Sequence, residues 1–164
     1  MKKAIIAVVF VAAAVWLWVY LQPSEERRIA KRLQALESAF AMGPDESVVS
    51  LVTKQASIEE LLAESVHIDL TGVSSFGTEF SPEALSSLVL RFKKMHKTVA
   101  LSLIDTEFIF IEARLAEITF TARMATTDWN GGRSTDTREI RAKLAKGEDH
   151  WRFASLEEEV VLER

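Results

Sequence analysis

Apolar residues along the chain follow three patterns in turn. Ala4 to Leu21 is an unbroken run of 18 residues without a charge. From Ser24 to Leu62 apolar positions recur every three or four residues, the spacing of one helix face. Beyond Val66 they mostly alternate with polar residues, the period of a half-buried strand, with one helical stretch after Ser81.

The helical stretch starts at Ser24, an expected N-cap with Glu25 and Glu26 in the first turn. Ile29, Leu33, Leu36 and Phe40 then form one stripe, and Gly43-Pro44 ends the helix. Asp45 is expected to cap a second helix carrying Val48, Leu51 and Val52. Ser57 and Glu60 form a capping-box pattern, which predicts a third segment starting there. Val66, Ile68 and Leu70 alternate with His67 and Asp69 as a strand, and Thr71 to Gly77 reads as a polar loop. Ser81-Pro82-Glu83 opens a helix expected to bury Leu85, Leu88, Phe92 and Met95. It closes on Lys93, Lys94, His96 and Lys97, which suit the negative end of its dipole.

Strands follow. Val99, Leu101 and Leu103 alternate, Asp105-Thr106-Glu107 reads as a bend, and Phe108 to Ile111 is a short apolar run. Ala116, Ile118, Phe120, Ala122 and Met124 share a face opposite Glu117, Thr119, Thr121 and Arg123. Asn130-Gly131-Gly132 is a hairpin signal. Ile140, Ala142 and Leu144 then oppose Glu139, Arg141 and Lys143. After a turn at Lys146 to Asp149, Trp151 to Leu162 supplies the last strand.

The opening run has the length of a membrane span, about 27 Å as a helix. Lys2 and Lys3 precede it, Trp16, Trp18 and Tyr20 cluster at its far end, and Pro23 stops it. Residues 1–22 are therefore read as a single transmembrane anchor, contacting the bilayer through residues 4–21, and 23–164 as one folded domain. The rival reading is a cleaved signal peptide at Ala12-Ala13-Ala14. Its apolar core, Ile5 to Val11, is minimal, and cleavage would expose Val15 to Val19. The two-lysine head resembles a bacterial signal-anchor. It predicts an inner-membrane, single-pass protein with the domain outside the cytoplasm, while Arg27, Arg28, Lys31 and Arg32 favour the opposite orientation.

Composition narrows the chemistry. A net charge of −4 argues against a nucleic-acid partner, which requires a clustered basic face. Without cysteine there is no disulfide, thiolate metal site or cysteine nucleophile. His67, His96 and His150 are scattered without ligand spacing, so no metal or cofactor is expected.

Helices first, one more helix after a short strand, and then a long meander give an α+β pattern. With it, the first helix, the His67-Ile68-Asp69-Leu70 strand, the Ala116 to Ala125 strand and Gly147-Glu148-Asp149-His150-Trp151-Arg152-Phe153 make residues 25–164 resemble the nuclear transport factor 2-like (SnoaL-like) superfamily. The resemblance implies a cone-shaped fold, a curved antiparallel sheet wrapped around N-terminal helices. It also implies homodimers through the outer sheet face, where Glu139, Arg141 and Lys143 would pair across a two-fold axis. Enzymes of the superfamily, such as ketosteroid isomerases, limonene-epoxide hydrolases and scytalone dehydratases, place polar catalytic groups inside the cone. A ketosteroid-isomerase site needs a tyrosine donor, and the only tyrosine here is Tyr20. An Asp-Arg-Asp set from Asp69, Arg91 or Arg123, and Asp105 is not demanded by any spacing.

His67 and Asp69 remain the candidate cavity residues for ligand binding, since they share a strand face. The plainer reading sends both toward solvent while Val66 and Ile68 face the core. Trp129, beside the hairpin turn, is a candidate interaction residue. The mixed charges Arg138, Glu139, Arg141, Lys143 and Lys146 read as one solvated sheet face, and Glu157 to Glu159 as an acidic blunting of a sheet edge. The expected function is a membrane-tethered, non-catalytic ligand-binding or protein-interaction module with a membrane-protein partner. In architecture it resembles the inner-membrane scaffold subunits of type IV secretion systems. The alternative is a small isomerase, hydratase or hydrolase with Asp69 as general base.

Overall fold

The computed structural model describes residues 24–71 and 78–159. The expected anchor at residues 1–22, and with it the bilayer contact of residues 4–21, lies outside the described residues, as does most of the expected Thr71 to Gly77 loop. Among the described residues no helix is long and apolar enough to cross a membrane.

Helices α1 (Glu25–Phe40) and α2 (Val48–Leu61) lead directly into strand β1 (Leu62–Asp69). Then come β2 (Glu79–Phe80), α3 (Pro82–Lys94), β3 (Thr98–Ile111), β4 (Leu115–Thr127), β5 (Arg133–Lys146) and β6 (Trp151–Glu158). One sheet takes the order β2-β1-β6-β5-β4-β3. Its β3 to β6 part is the expected antiparallel meander. However, β1 runs parallel to β6, so the sheet is mixed rather than wholly antiparallel. Alternation identifies a strand but carries no direction, and no tight turn joins these two.

Ser24 caps α1 as expected, its hydroxyl accepting from Arg27 N at 3.3 Å. The buried stripe is Ile29, Leu33, Leu36 and Ala39, while the expected Phe40 is only half-buried against it. The second and third expected helical segments are one helix, α2. Its cap is Ser47, which accepts from Ser50 N at 3.2 Å, rather than Asp45. Ser57 does not start a helix, because its hydroxyl donates to Thr53 O one turn back. Helix α3 is capped by Ser81 with Pro82 first, but it is rotated from the expected face. Ser86, Val89 and Lys93 are buried, Leu85 and Leu88 pack at the flank, and Met95 is exposed.

The expected bend at Asp105 is a bulge inside a continuous β3. The register shifts between Ile104 and Glu107, and Asp105 has φ 53°. Such bulges sharpen strand twist and curl the sheet. The exposed edge of β3 is covered by α1, where Glu37 Oε1 accepts from Leu103 N at 2.5 Å. Met42 extends that cover through a two-bond bridge with Val99. Because β6 lies inside the sheet, Glu157 to Glu159 do not blunt an edge; they pair with cations of β5. The core joins Ile29, Leu33, Leu61, Val66, Ile118, Phe120, Leu144, Trp151 and Phe153 between the helices and the inner sheet face.

Candidate functional site

On β1, Val66 is fully buried and Ile68 is 2% exposed, so both face the helices. His67 and Asp69 therefore turn to the outer face. His67 Nδ1 lies 3.0 Å from Glu79 Oε1, and Ser65 Oγ donates to Glu79 Oε2 at 2.7 Å. The Ser65 hydroxyl, then His67, hold the Glu79 carboxyl below its ordinary range. Asp69 is exposed, level with Glu157 on β6. The two candidates thus share a face but lie outside the cone.

Strand parity from Ile140 sends Arg138 and Asp136 to the inner face, apart from Glu139, Arg141 and Lys143. The single charged face expected on β5 is therefore two faces. Arg138 donates to Asp136 at 2.8 Å, to Glu158 at 3.1 Å and to the Thr71 carbonyl at 2.6 Å. Glu158 accepts from Thr71 N at 2.8 Å, a bond that leads in holding its carboxyl below the usual range. Burial works against the charge on Arg138, but the two carboxylates outweigh it. This cluster ties the end of β1 to β5 and β6, with one guanidinium shared between two carboxylates. Counting two residues back from Ile140 places Arg138 inward from sequence alone.

On the outer face Arg141 reaches Glu117 at 3.3 Å and also Glu159, and Lys143 lies 3.6 Å from Glu157. Glu139 is exposed. Trp129 is 65% exposed at the β4–β5 turn, its Nε1 donating to Lys94 O at 3.4 Å beside exposed Met95. Val48, Val49 and Val52 are exposed on the first turns of α2. The Met42–Val99 bridge and the Thr98–Thr127 pair put these apolar groups at the same end of the fold.

At the opposite end, Glu25 accepts from Trp151 Nε1 at 2.7 Å and from Lys146 at 2.9 Å, with Arg28 at 3.2 Å. The Lys146 bond leads in holding this carboxyl low. Lys146 also stands 5.5 Å over the Trp151 ring. Beside this clip lies a cleft of about 360 Å³ lined by Arg28, Lys31, Arg32, Asp149, His150 and Trp151. In sequence the first three read only as flanking charges, although their spacing already puts them on one helix face. Among the described residues no group of histidine or carboxylate side chains comes together to hold a metal ion.

Between the helices, Lys93 is 2% exposed and donates to the Ala39 carbonyl at 2.6 Å. Lys54 serves the neighbouring Ala41 carbonyl at 2.6 Å and pairs with Glu46 at 2.5 Å. Helix α1 has no basic residue in its own last turn, so its negative end is served from α2 and α3. Burial, with Lys54 close by, pushes the Lys93 amine down to about 8.

The architecture matches solved structures. A candidate aromatic ring hydroxylase from Novosphingobium aromaticivorans aligns over 86% of this chain and 92% of its own, at 15% identity and TM-score 0.66. A candidate dehydratase of the NTF2-like family from Streptomyces avermitilis aligns over 83% and 96%, at 12% identity and TM-score 0.61. The association domain of the C. elegans kinase CaMKII aligns over 84% and 96%, at 11% identity and TM-score 0.61. These likenesses show the nuclear transport factor 2-like fold and nothing of the chemistry. No family model and no curated protein matches the sequence.

Proposed function

We propose that this chain is a membrane-tethered module that works by protein contact rather than catalysis. The observation that carries the reading is the state of the inner sheet face. Its titratable groups Asp136, Arg138 and Glu158 are bonded to one another, and apolar side chains from Ala116 to Phe153 fill the base. Asp69, the base an enzyme would need, faces outward. Among the described residues the carboxylates with displaced ionisation, Glu25, Glu46, Glu79, Glu83, Glu157 and Glu158, all move down, whereas a carboxylate acting near neutrality needs to move up; Lys93, moved to about 8, is sealed between the helices and 2% exposed.

The tether is the Ala4 to Leu21 run, and the contact surface is the far end, with Trp129, Met95 and Val48, Val49 and Val52. A dimer through Glu139, Arg141 and Lys143 is compatible with this surface, which lies elsewhere. The test is a photo-crosslinking residue placed at Trp129 or Val49 of the full chain in intact cells. A protein adduct of discrete mass at both positions, and none from a residue at Glu107, is expected. No adduct at either position, from chain that fractionates with the membrane, would refute the contact surface.

A further inference from the structure

We propose that the cleft at the Ser24 end of the domain seats the phosphate of an anionic phospholipid in the membrane that holds the chain. This rests on the tether just proposed and deepens it by naming the lipid chemistry. Arg28, Lys31 and Arg32 lie at i, i+3 and i+4 on α1, so they line one face. Across from them stand His150 and one carboxylate, Asp149. Lys31 is exposed and makes no ion pair among the described residues, while Arg32 reaches Glu60 only at 4.0 Å. With Arg28 already paired to Glu25 at 3.2 Å, Lys31 and the loosely paired Arg32 are left as the cleft's available cations against the single carboxylate Asp149. Its volume lies in the range of small-molecule sites and is roomier than inorganic phosphate requires.

Its position supplies the occupant. Only Gln22 and Pro23 separate Leu21, the end of the apolar run, from the Ser24 cap. Three residue steps span about 10 Å at most, so α1 starts within reach of the headgroup layer. The opposite end of α1 stands about 24 Å away. Of the two ends of the domain, the cationic one is thus next to the bilayer. Each basic residue near an anionic surface strengthens the contact about fivefold.

The chain has no cysteine, so one introduced thiol takes a spin label without background. Full chain with Glu148→Cys, beside the cleft, or Asn130→Cys, at the far turn, is reconstituted into phosphatidylcholine vesicles with and without phosphatidylglycerol. Label depth is read from relaxation by oxygen against a water-soluble nickel complex. The expected result is headgroup depth for position 148 when phosphatidylglycerol is present, and water for position 130 throughout. Adding Lys31→Gln and Arg32→Gln should weaken the apposition roughly 25-fold and return the 148 label to water. A 148 label in water on vesicles that float the protein would overturn the lipid seat and leave the tether standing. A 148 label at headgroup depth regardless of phosphatidylglycerol and of both substitutions would overturn the seat equally. Protein that fails to float with either vesicle would overturn the tether, and the lipid seat with it.

Discussion

Lys93→Met tests the buried helix junction through the pH dependence of stability. An ordinary lysine titrates near 10.5, and burial beside Lys54 takes Lys93 down to about 8. At about 1.4 kcal/mol for each tenfold change in the proton equilibrium, that difference is about 2–3 kcal/mol. Between the two values the unfolded chain binds the proton and the folded chain does not. Stability therefore rises with pH from about 8 to about 10.5, and the cost of holding the charged form is present in full below about 8. Urea unfolding of the full chain in detergent micelles, followed by circular dichroism, measures this against Lys93→Met. Other titrating groups are common to both proteins and cancel in the difference. Wild type should gain about 2–3 kcal/mol over Lys93→Met across that window. Lys54→Met, by removing the like charge, should move the onset to higher pH. A difference that stays flat, or that falls as pH rises, would refute the buried ammonium.

Three further outcomes follow from named contacts. Trp151→Phe keeps an aromatic ring of smaller size but removes the indole N–H that donates to Glu25 at 2.7 Å, and should cost about 1–3 kcal/mol in the same unfolding assay. Arg138→Ala leaves Asp136 and Glu158 facing each other and should cost a similar ~1–3 kcal/mol. Arg138→Lys should recover only part of that, because an ammonium cannot reproduce the forked donation; full recovery would contradict the geometry. Asp69→Ala should change stability by less than about 0.5 kcal/mol, as for an exposed site without an ion pair or side-chain hydrogen bond among the described residues. A larger loss would show that the carboxylate has an inward role.

The legible parts of this fold are those where one face is purely apolar. Ile29, Leu33 and Leu36 on α1 and the alternation of Ile118 with Thr119 or Ala142 with Lys143 mark their burial without ambiguity. The illegible parts carry polar groups inward. Lys93 is buried because its amine serves the end of a helix distant in sequence, and no local pattern encodes that acceptor. The same holds for Ser86, whose hydroxyl donates to Glu59 at 2.6 Å across the α2–α3 contact. Arg138 is misread from sequence for a simpler reason: its charge draws it to the solvated face against the parity that Ile140 already sets. At the candidate site, the outward turn of His67 is the plainer of two sequence readings. The cleft is hidden because Asp149 and His150 come from a turn more than a hundred residues from Arg28.

The membrane tether is tested most directly by fractionation. Membranes carrying the full chain are washed at alkaline pH, in parallel with a chain lacking residues 4–21, and the supernatant is assayed for each. A spanning segment at residues 4–21 keeps the full chain in the pellet, while the shortened chain is released with the circular dichroism of a folded α+β domain. Release of the full chain by the same wash would contradict the tether.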